Sequence, residues 1–259
     1  MARLIDDSDR LPAGGRQLLN PMLAIPILLL VVCLGVCRWA RGRFDEMWRQ
    51  SVRQTAPTAH TGAEIARLFL NFEGVSDVEI LEREGVVTNY YDPARRRLFL
   101  SPEVARGTHL AAWAVSLHEA GHAVQEGEAL HEFKWRLMVI RWTRYGPTLA
   151  VVLAVGAMFL LRVPGRFALL ALLAAFLATL LLNLGTLSVE MRANTSLKRF
   201  LEKHLARWPA ALERLEHCLH RVATREVGDL LSSPRYFLFS AMPGTATEPS
   251  MTKSEKKPE

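Results

Sequence analysis

Three stretches of the chain are almost continuously apolar, and the segments between them mix apolar and charged positions as folded soluble segments do. The first stretch covers residues 18–37. At ~1.5 Å rise per residue, a helix of about twenty residues matches the ~30 Å hydrocarbon core of a bilayer. Pro21 and Pro26 fall in its first half, where a membrane helix tolerates them as a start or a kink. A cleaved signal peptide is the competing reading. It fits less well, because no A-x-A site follows and Arg38-Trp39-Ala40-Arg41 forms a stop-transfer flank. Val36 also occupies the place before Cys37 where a lipoprotein signal wants a small residue. The second stretch, 147–161, is lengthened at its start by the interfacial Trp142 and Tyr145, which gives a span over 145–162. The third covers 166–189 and follows the short turn Arg162-Val163-Pro164-Gly165, so spans two and three form an antiparallel hairpin.

The intervening segments carry regular periods of their own. Residues 42–60 read as a polar helix leaving the membrane. Thr61 followed by Glu64 has the spacing of a capping box, and Ile65, Leu68, Phe69 and Phe72 recur at helical spacing up to Gly74. Short strands are expected over 78–81, 86–90 and 97–100, the last as an edge strand, with turns at Glu84-Gly85 and Asp92-Pro93. A helix beginning near Thr108 carries Trp113, Val115, Leu117, His118, His122 and Val124 towards Gly127. Beyond residue 190 amphipathic helices continue to about 240, with Pro209 separating two of them. No apolar period remains in 241–259, which reads as a disordered tail, and 1–17 forms an N-terminal segment. The architecture expected is therefore a mainly α membrane protein. Three transmembrane helices accompany a small α+β domain over 38–144.

Charge sets an orientation. The formal net charge is +6, and the basic residues gather at the ends of the apolar stretches. Arg38, Arg41, Arg43, Arg49 and Arg53 follow the first span; Lys134, Arg136, Arg141 and Arg144 precede the second; Arg192, Lys198, Arg199 and Lys203 follow the third. Before the first span stand only Arg3, Arg10 and Arg16. The heavy flanks all share one side, so the N-terminus is expected outside and 38–144 and 190–259 in the cytoplasm of a multi-pass inner-membrane protein. Bases and aromatics do not interleave along a groove, which leaves a nucleic-acid role without support. Cys33, Cys37 and Cys218 form neither a disulfide framework nor a zinc-ribbon spacing.

One motif carries chemistry: His118-Glu119-Ala120-Gly121-His122. Residues four apart lie one turn apart on the same helix face, close enough for two imidazoles to grip one ion. Zn2+ accepts neutral imidazole and keeps a position open for water, whose pKa it lowers from ~15.7 towards ~7. Glu119, adjacent, is placed to take a proton from that water. Gly121 in mid-helix costs about 1 kcal/mol relative to Ala, which suggests that something packs closely there. Two histidines leave a tetrahedral site short of a ligand. Glu190, at the cytoplasmic end of the third span, is the best third candidate, since a carboxylate at the hydrocarbon boundary is expensive and usually functional. Asn194, one turn later, could orient a ligating histidine. His131, His109 and Asp92 are rival ligands, while His204, His217 and His220 read as solvated faces.

The chain resembles the neutral zinc metallopeptidases of bacterial membranes, the YugP-type family. The resemblance covers roughly 20–200. It rests on the N-terminal anchor, Thr61-Gly62-Ala63-Glu64, Tyr91-Asp92-Pro93 before a strand ending Leu100-Ser101, the run from His118 to Gln125, the hydrophobic hairpin and Val189-Glu190. It implies a zincin-like fold for the cytoplasmic α+β domain over 38–144 and zinc-dependent peptide hydrolysis, a zinc metalloendopeptidase with His118 and His122 as ligands and Glu119 as the catalytic residue. Glu190-Met191-Arg192-Ala193-Asn194 is similar to the glutamate-ligand motif of other membrane-anchored gluzincins, with Asn194 where Asp is more usual. Two departures stand out. Tyr90 holds the place of an expected histidine, and 236–242 is too short for the further span with which the family usually ends.

Function is thus expected at the bilayer, with a peptide or membrane-protein substrate near the inner leaflet. A non-catalytic membrane adaptor with a structural zinc is the alternative, and it leaves Glu119 without a use. A di-iron desaturase would need several histidine clusters, and this chain has one.

Overall fold

The computed structural model describes residues 21–85 and 88–239. The N-terminal segment, the first residues of the first expected span and the expected disordered tail lie outside them.

Helix α1 (Pro21–Ser51) is continuous from the apolar stretch into the polar region. The expected separate helix over 42–60 is its second half, and it stops early. Past Ser51 the chain extends to pair with the start of the motif helix: Ala56 N–H donates to the Thr108 carbonyl at 3.0 Å, and Leu110 N–H to that of Gln54 at 3.0 Å. Helix α2 (Gly62–Phe72) opens on the expected capping box. The Thr61 hydroxyl accepts from Glu64 N–H at 3.2 Å, and the Glu64 carboxylate accepts from Thr61 N–H at 2.8 Å. The Thr61 N–H first, and then the Thr61 hydroxyl, hold the exposed Glu64 carboxyl below its usual range.

Three strands follow: β1 (Glu79–Glu82), β2 (Tyr90–Asp92) and β3 (Arg97–Leu100). The order is β1-β3-β2, with β1 parallel and β2 antiparallel to β3. Strand β3 therefore lies at the centre, not at the edge as its position before the motif suggested. Leu98, Phe99 and Leu100 are all buried, as a strand covered on both faces requires. The first two strands are shifted from 78–81 and 86–90, and residues 86 and 87 of the latter lie outside the described residues. In the turn before β3, Asp92 Oδ1 accepts from Ala94 N–H at 2.9 Å.

A short helix α3 (Pro102–Arg106) leads into α4 (Leu110–Ala123), the motif helix, every residue of which is buried. It ends a turn earlier than expected. Gly127, with φ +58°, begins the next helix instead of closing this one. Helix α5 (Gly127–Leu160) runs unbroken through the expected boundary at 145, with Pro147 inside it. Leu130, Phe133, Leu137 and Ile140 supply a helical apolar period that docks its first half on the core. After a tight turn α6 (Gly165–Gly185) returns, and α7 (Leu187–Ser196), α8 (Lys198–His204) and α9 (Pro209–Thr224) follow. Pro209 opens α9, as expected. A 3-10 segment (Arg225–Ser232) and α10 (Ser233–Phe239) fold back onto α1 and α5. There Ser233 Oγ accepts from Thr148 N–H at 3.2 Å.

Among the described residues, three helical stretches are long and apolar enough to cross a membrane: Ala24–Ser51, Ala129–Leu160 and Gly165–His204. Their outer faces expose Leu28, Val31, Val32, Val152, Phe159, Leu170 and Leu181, a surface suited to hydrocarbon and not to water. The main core lies at one end of these helices. Phe69, Leu98, Trp113, Leu117, Phe133, Phe200, Leu215 and Leu219 meet there, so β-strands, motif helix and α7–α9 share one interior.

Candidate metal centre

His118 and His122 project from one face of α4, their ring centroids 5.0 Å apart. Glu190, on the first turn of α7, reaches them from the side. Its Oε2 lies 3.0 Å from His118 Nε2 and 3.4 Å from His122 Nε2. The three residues are each at most 1% exposed, and one ligand atom from each lies within 4.8 Å of the others. The helices approach closely because position 121 has no side chain. A Cβ on Gly121 would sit 2.4 Å from the Ala193 carbonyl oxygen. The mid-helix glycine thus has the packing reason that its helix cost suggested.

Hydrogen bonds settle how His118 faces the cluster. Asn194 donates from Nδ2 to the Leu219 carbonyl at 2.9 Å, which turns its Oδ1 towards His118 Nδ1 at 2.8 Å. Oδ1 can only accept, so Nδ1 carries a proton and Nε2 is the nitrogen turned to the Glu190 carboxylate. At 3.0 Å that nitrogen and the carboxylate oxygen require a cation between them, either a proton or a metal ion. His122 makes the same demand. Neither of its ring nitrogens has a hydrogen-bond partner of good geometry although both are fully buried. Burial, then the positive charge of Arg136 and the neighbouring His118, hold its pKa well below the usual value, against a weaker pull from Gln125. Neutral imidazole is the ligand form. Two imidazoles and a carboxylate converging in this way fit a zinc ion.

Glu119 is buried beside the cluster and lines a cavity of about 240 Å³. Edge strand β2 forms one wall, and Arg136, Leu137, Ile140 and Arg144 of α5 form the other. An Arg225 Nη lies 3.7 Å from Glu119 Oε1, with both side chains buried.

Of the residues singled out in the sequence, His118, Glu119, His122, Glu190 and Asn194 meet here. The rivals do not. His131 is exposed on α5; His109 caps α4, its Nδ1 accepting from Ala112 N–H at 3.1 Å; Asp92 is committed to its turn. His204, His217 and His220 are exposed, as expected. The Tyr90 ring stacks on Phe99, 4.9 Å between centroids. Two arginines went unrecognised. Arg136 pairs with Glu190 Oε1 and lies over the Phe133 ring, which stacks on His122 at 4.4 Å. Arg225 pairs with Glu119. In the sequence Arg136 is one of several bases flanking a span, and nothing marks Arg225 at all.

A family model described as "Putative neutral zinc metallopeptidase" matches residues 26–233. The chain is 31% identical over 176 residues to "Putative membrane protease YugP" of Bacillus subtilis (strain 168), covering 68% of this chain and 76% of that protein. No solved structure matches it. With a family match running from the first long helix through the motif helix to the Arg225 segment, the chain belongs to the putative neutral zinc metallopeptidase family.

Proposed function

We propose that this protein is a membrane-anchored zinc endopeptidase, with His118, His122 and Glu190 holding the metal and Glu119 acting as general base. The observation that carries the reading is the buried His118–His122–Glu190 cluster with Glu119 opening beside it onto a cleft. Zinc, when bound, lowers the pKa of a coordinated water from ~15.7 towards ~7 and polarises a carbonyl.

The protein's own groups supply the rest. Glu119 receives a proton from the water that attacks the scissile carbonyl and returns it to the departing amine nitrogen. Arg225 gives the buried carboxylate a countercharge. Arg136 occupies Glu190 Oε1, which leaves Oε2 turned towards the imidazoles. Asn194 fixes the ring of His118. Strand β2 is bonded to β3 on one side only, so its other edge offers backbone groups to an extended peptide entering the cleft. A structural zinc alone would give no reason for Glu119 to line that cleft.

The substrate class we infer is a peptide or membrane protein presented near the inner leaflet. Glu190 stands five residues beyond the end of α6, so the centre sits directly under the end of an apolar span. The basic flanks support a cytoplasmic site.

Two variants test the assignment. Glu119→Gln is expected to keep zinc and fold while peptide hydrolysis falls at least ~10²–10⁴-fold. Glu190→Ala is expected to release zinc to a graded chelator series at least roughly 10–100-fold more readily than the wild type. Hydrolysis by Glu119→Gln at the wild-type rate would overturn the catalytic role, and undiminished zinc retention by Glu190→Ala would move the third ligand elsewhere.

A further inference from the structure

Away from the metal centre, α1 and α9 enclose a groove of about 540 Å³ whose walls carry an unusual balance of charge. Trp39, Arg43 and Glu46 line it from α1, and Arg214, His217 and Arg221 from α9. The two helices run antiparallel. Ser51 Oγ lies 3.2 Å from Cys218 Sγ, and ten residues further on Gly228 packs against the backbone at Cys37 and Arg41. The groove therefore runs from Gln54 and Arg214, past the level of Ser51, to Trp39, where α1 turns apolar.

The cations in it are not neutralised by the protein. Among the described residues, Arg43, Arg214 and Arg221 form no ion pair with a carboxylate. Arg43 lies over the Trp39 ring at 4.7 Å, Arg214 donates to the Ala210 carbonyl at 3.0 Å, and Arg221 donates to His217 Nε2 at 3.3 Å. Glu46, the one acid lining the groove, is shared by Arg49 and Gln50. Burial first, and then the charge of Arg43, push the pKa of Arg221 down; His217 is lowered by burial, by Arg221, by His220 and by Arg43. Among the described residues, three guanidinium groups thus share one groove without a carboxylate partner of their own.

A second feature says what would join them. Leu28, Val32, Val36 and Trp39 are all exposed and follow one another at spacings of three or four residues, ending at Arg43. An apolar track thus leads down one face of α1 into the mouth of the cationic groove. Acyl chain along the track and phosphate in the groove is the ligand this shape describes.

We propose that the α1–α9 groove binds the phosphate headgroup of an anionic phospholipid from the leaflet at this end of α1. The assignment rests on α1 being a membrane span and not on peptide hydrolysis, so the two fail separately.

The test uses the full chain reconstituted with phosphatidylglycerol and phosphatidylcholine, with retained lipid counted by native mass spectrometry. Wild type is expected to keep one phosphatidylglycerol per chain in preference to phosphatidylcholine. Arg214→Gln with Arg221→Gln is expected to weaken retention about fivefold for each arginine, the roughly 1 kcal/mol of one basic residue at an anionic surface. Arg43→Gln, on the opposite wall, is expected to give the same selective loss on its own, which covers the case of a poorly folding double variant. Arg38→Gln with Arg53→Gln removes the same charge from exposed positions outside the groove and is expected to change retention less than about twofold. Equal losses in both double variants would reduce the site to diffuse surface charge and overturn it. So would displacement of the lipid by inorganic phosphate at matched concentration, which would make the ligand a soluble anion.

Discussion

Arg136 and Glu190 form a buried ion pair whose second carboxylate oxygen is aimed at His118 and His122, so in the proposed centre one acid would answer to two cations, a guanidinium and the metal. Removing one partner of a buried pair typically costs ~3–5 kcal/mol, because the other charge is left uncompensated. Arg136→Gln should therefore destabilise the metal-free protein by about 3 kcal/mol in denaturant unfolding. Bound zinc supplies the missing countercharge, so the loss should shrink by more than half when the same unfolding is run with zinc in place of chelator. An identical loss in both conditions would mean that Arg136 acts by packing on Phe133 alone. The same residue shows where reading a sequence stops. His118, Glu119 and His122 announce themselves because metal chemistry needs those residue types at that spacing, Glu190 because a carboxylate at the end of a span has few other uses, and Asn194 because it stands one turn beyond Glu190. Arginine beside a span has an ordinary use as a flanking charge. Burial of Arg136 is a tertiary fact that no spacing encodes.

Among the elements, amphipathic helices were the most legible, since each declares its own period and caps. Thr61 and Glu64 place the start of α2 to the residue. Sheet order was not legible. Short connections between β1, β2 and β3 suit a meander, yet β3 inserts between the other two, and only the wholly apolar run Leu98-Phe99-Leu100 hints at a central strand. The ends of α1 and α5 were misplaced for a related reason: helix persists across a change from lipid-facing to core-facing composition when no breaker intervenes. The start of α4 offers a test at this scale. Neutral His109 caps the helix through Nδ1, and burial, opposed by Glu103, lowers its pKa below the ordinary value near 6.5. Between the lowered and the ordinary value the unfolded chain binds a proton that the folded chain does not, so stability rises with pH in that window. The contribution is complete above about pH 6.5 and is lost as pH falls towards the lowered value. His109→Asn keeps a capping acceptor without titrating and should give a flatter stability profile between about pH 7.5 and 5.5. His109→Ala should lose about 1 kcal/mol already at pH 7.5. Parallel profiles for wild type and His109→Asn would remove the cap from the pH response.

At the scale of the molecule, the interior that holds the centre is drawn from residues 47–133 and 189–222, and the apolar hairpin separates these two parts in the sequence. The hairpin is what delivers Glu190: α5 leaves the core carrying Arg136, α6 returns, and α7 brings the carboxylate to the histidines. The end of α1, the start of α5 and the end of α6 thus lie at the same end of the bundle, where Ser51 meets Cys218 and Arg136 meets Glu190. Opposite them is the turn between α5 and α6, with Arg162 and Arg166 as its basic residues. Arg136 and Arg144 are buried and weigh less as flanking charges than the sequence suggested. Removing them still leaves Arg38, Arg41, Arg43, Arg49 and Arg53 after α1 alone, more than the far turn holds. The bias therefore survives, and it supports the proposed cytoplasmic side for the metal centre. Reporter fusions after Arg53 and after Lys203 should both register cytoplasm, and an insertion at Gly165 should register the outside. The geometry makes the first two a joint prediction, because both positions belong to the same end of the bundle. A periplasmic signal at Arg53 with a cytoplasmic one at Gly165 would invert the protein and carry the centre, its cleft and its substrates to the other side of the membrane.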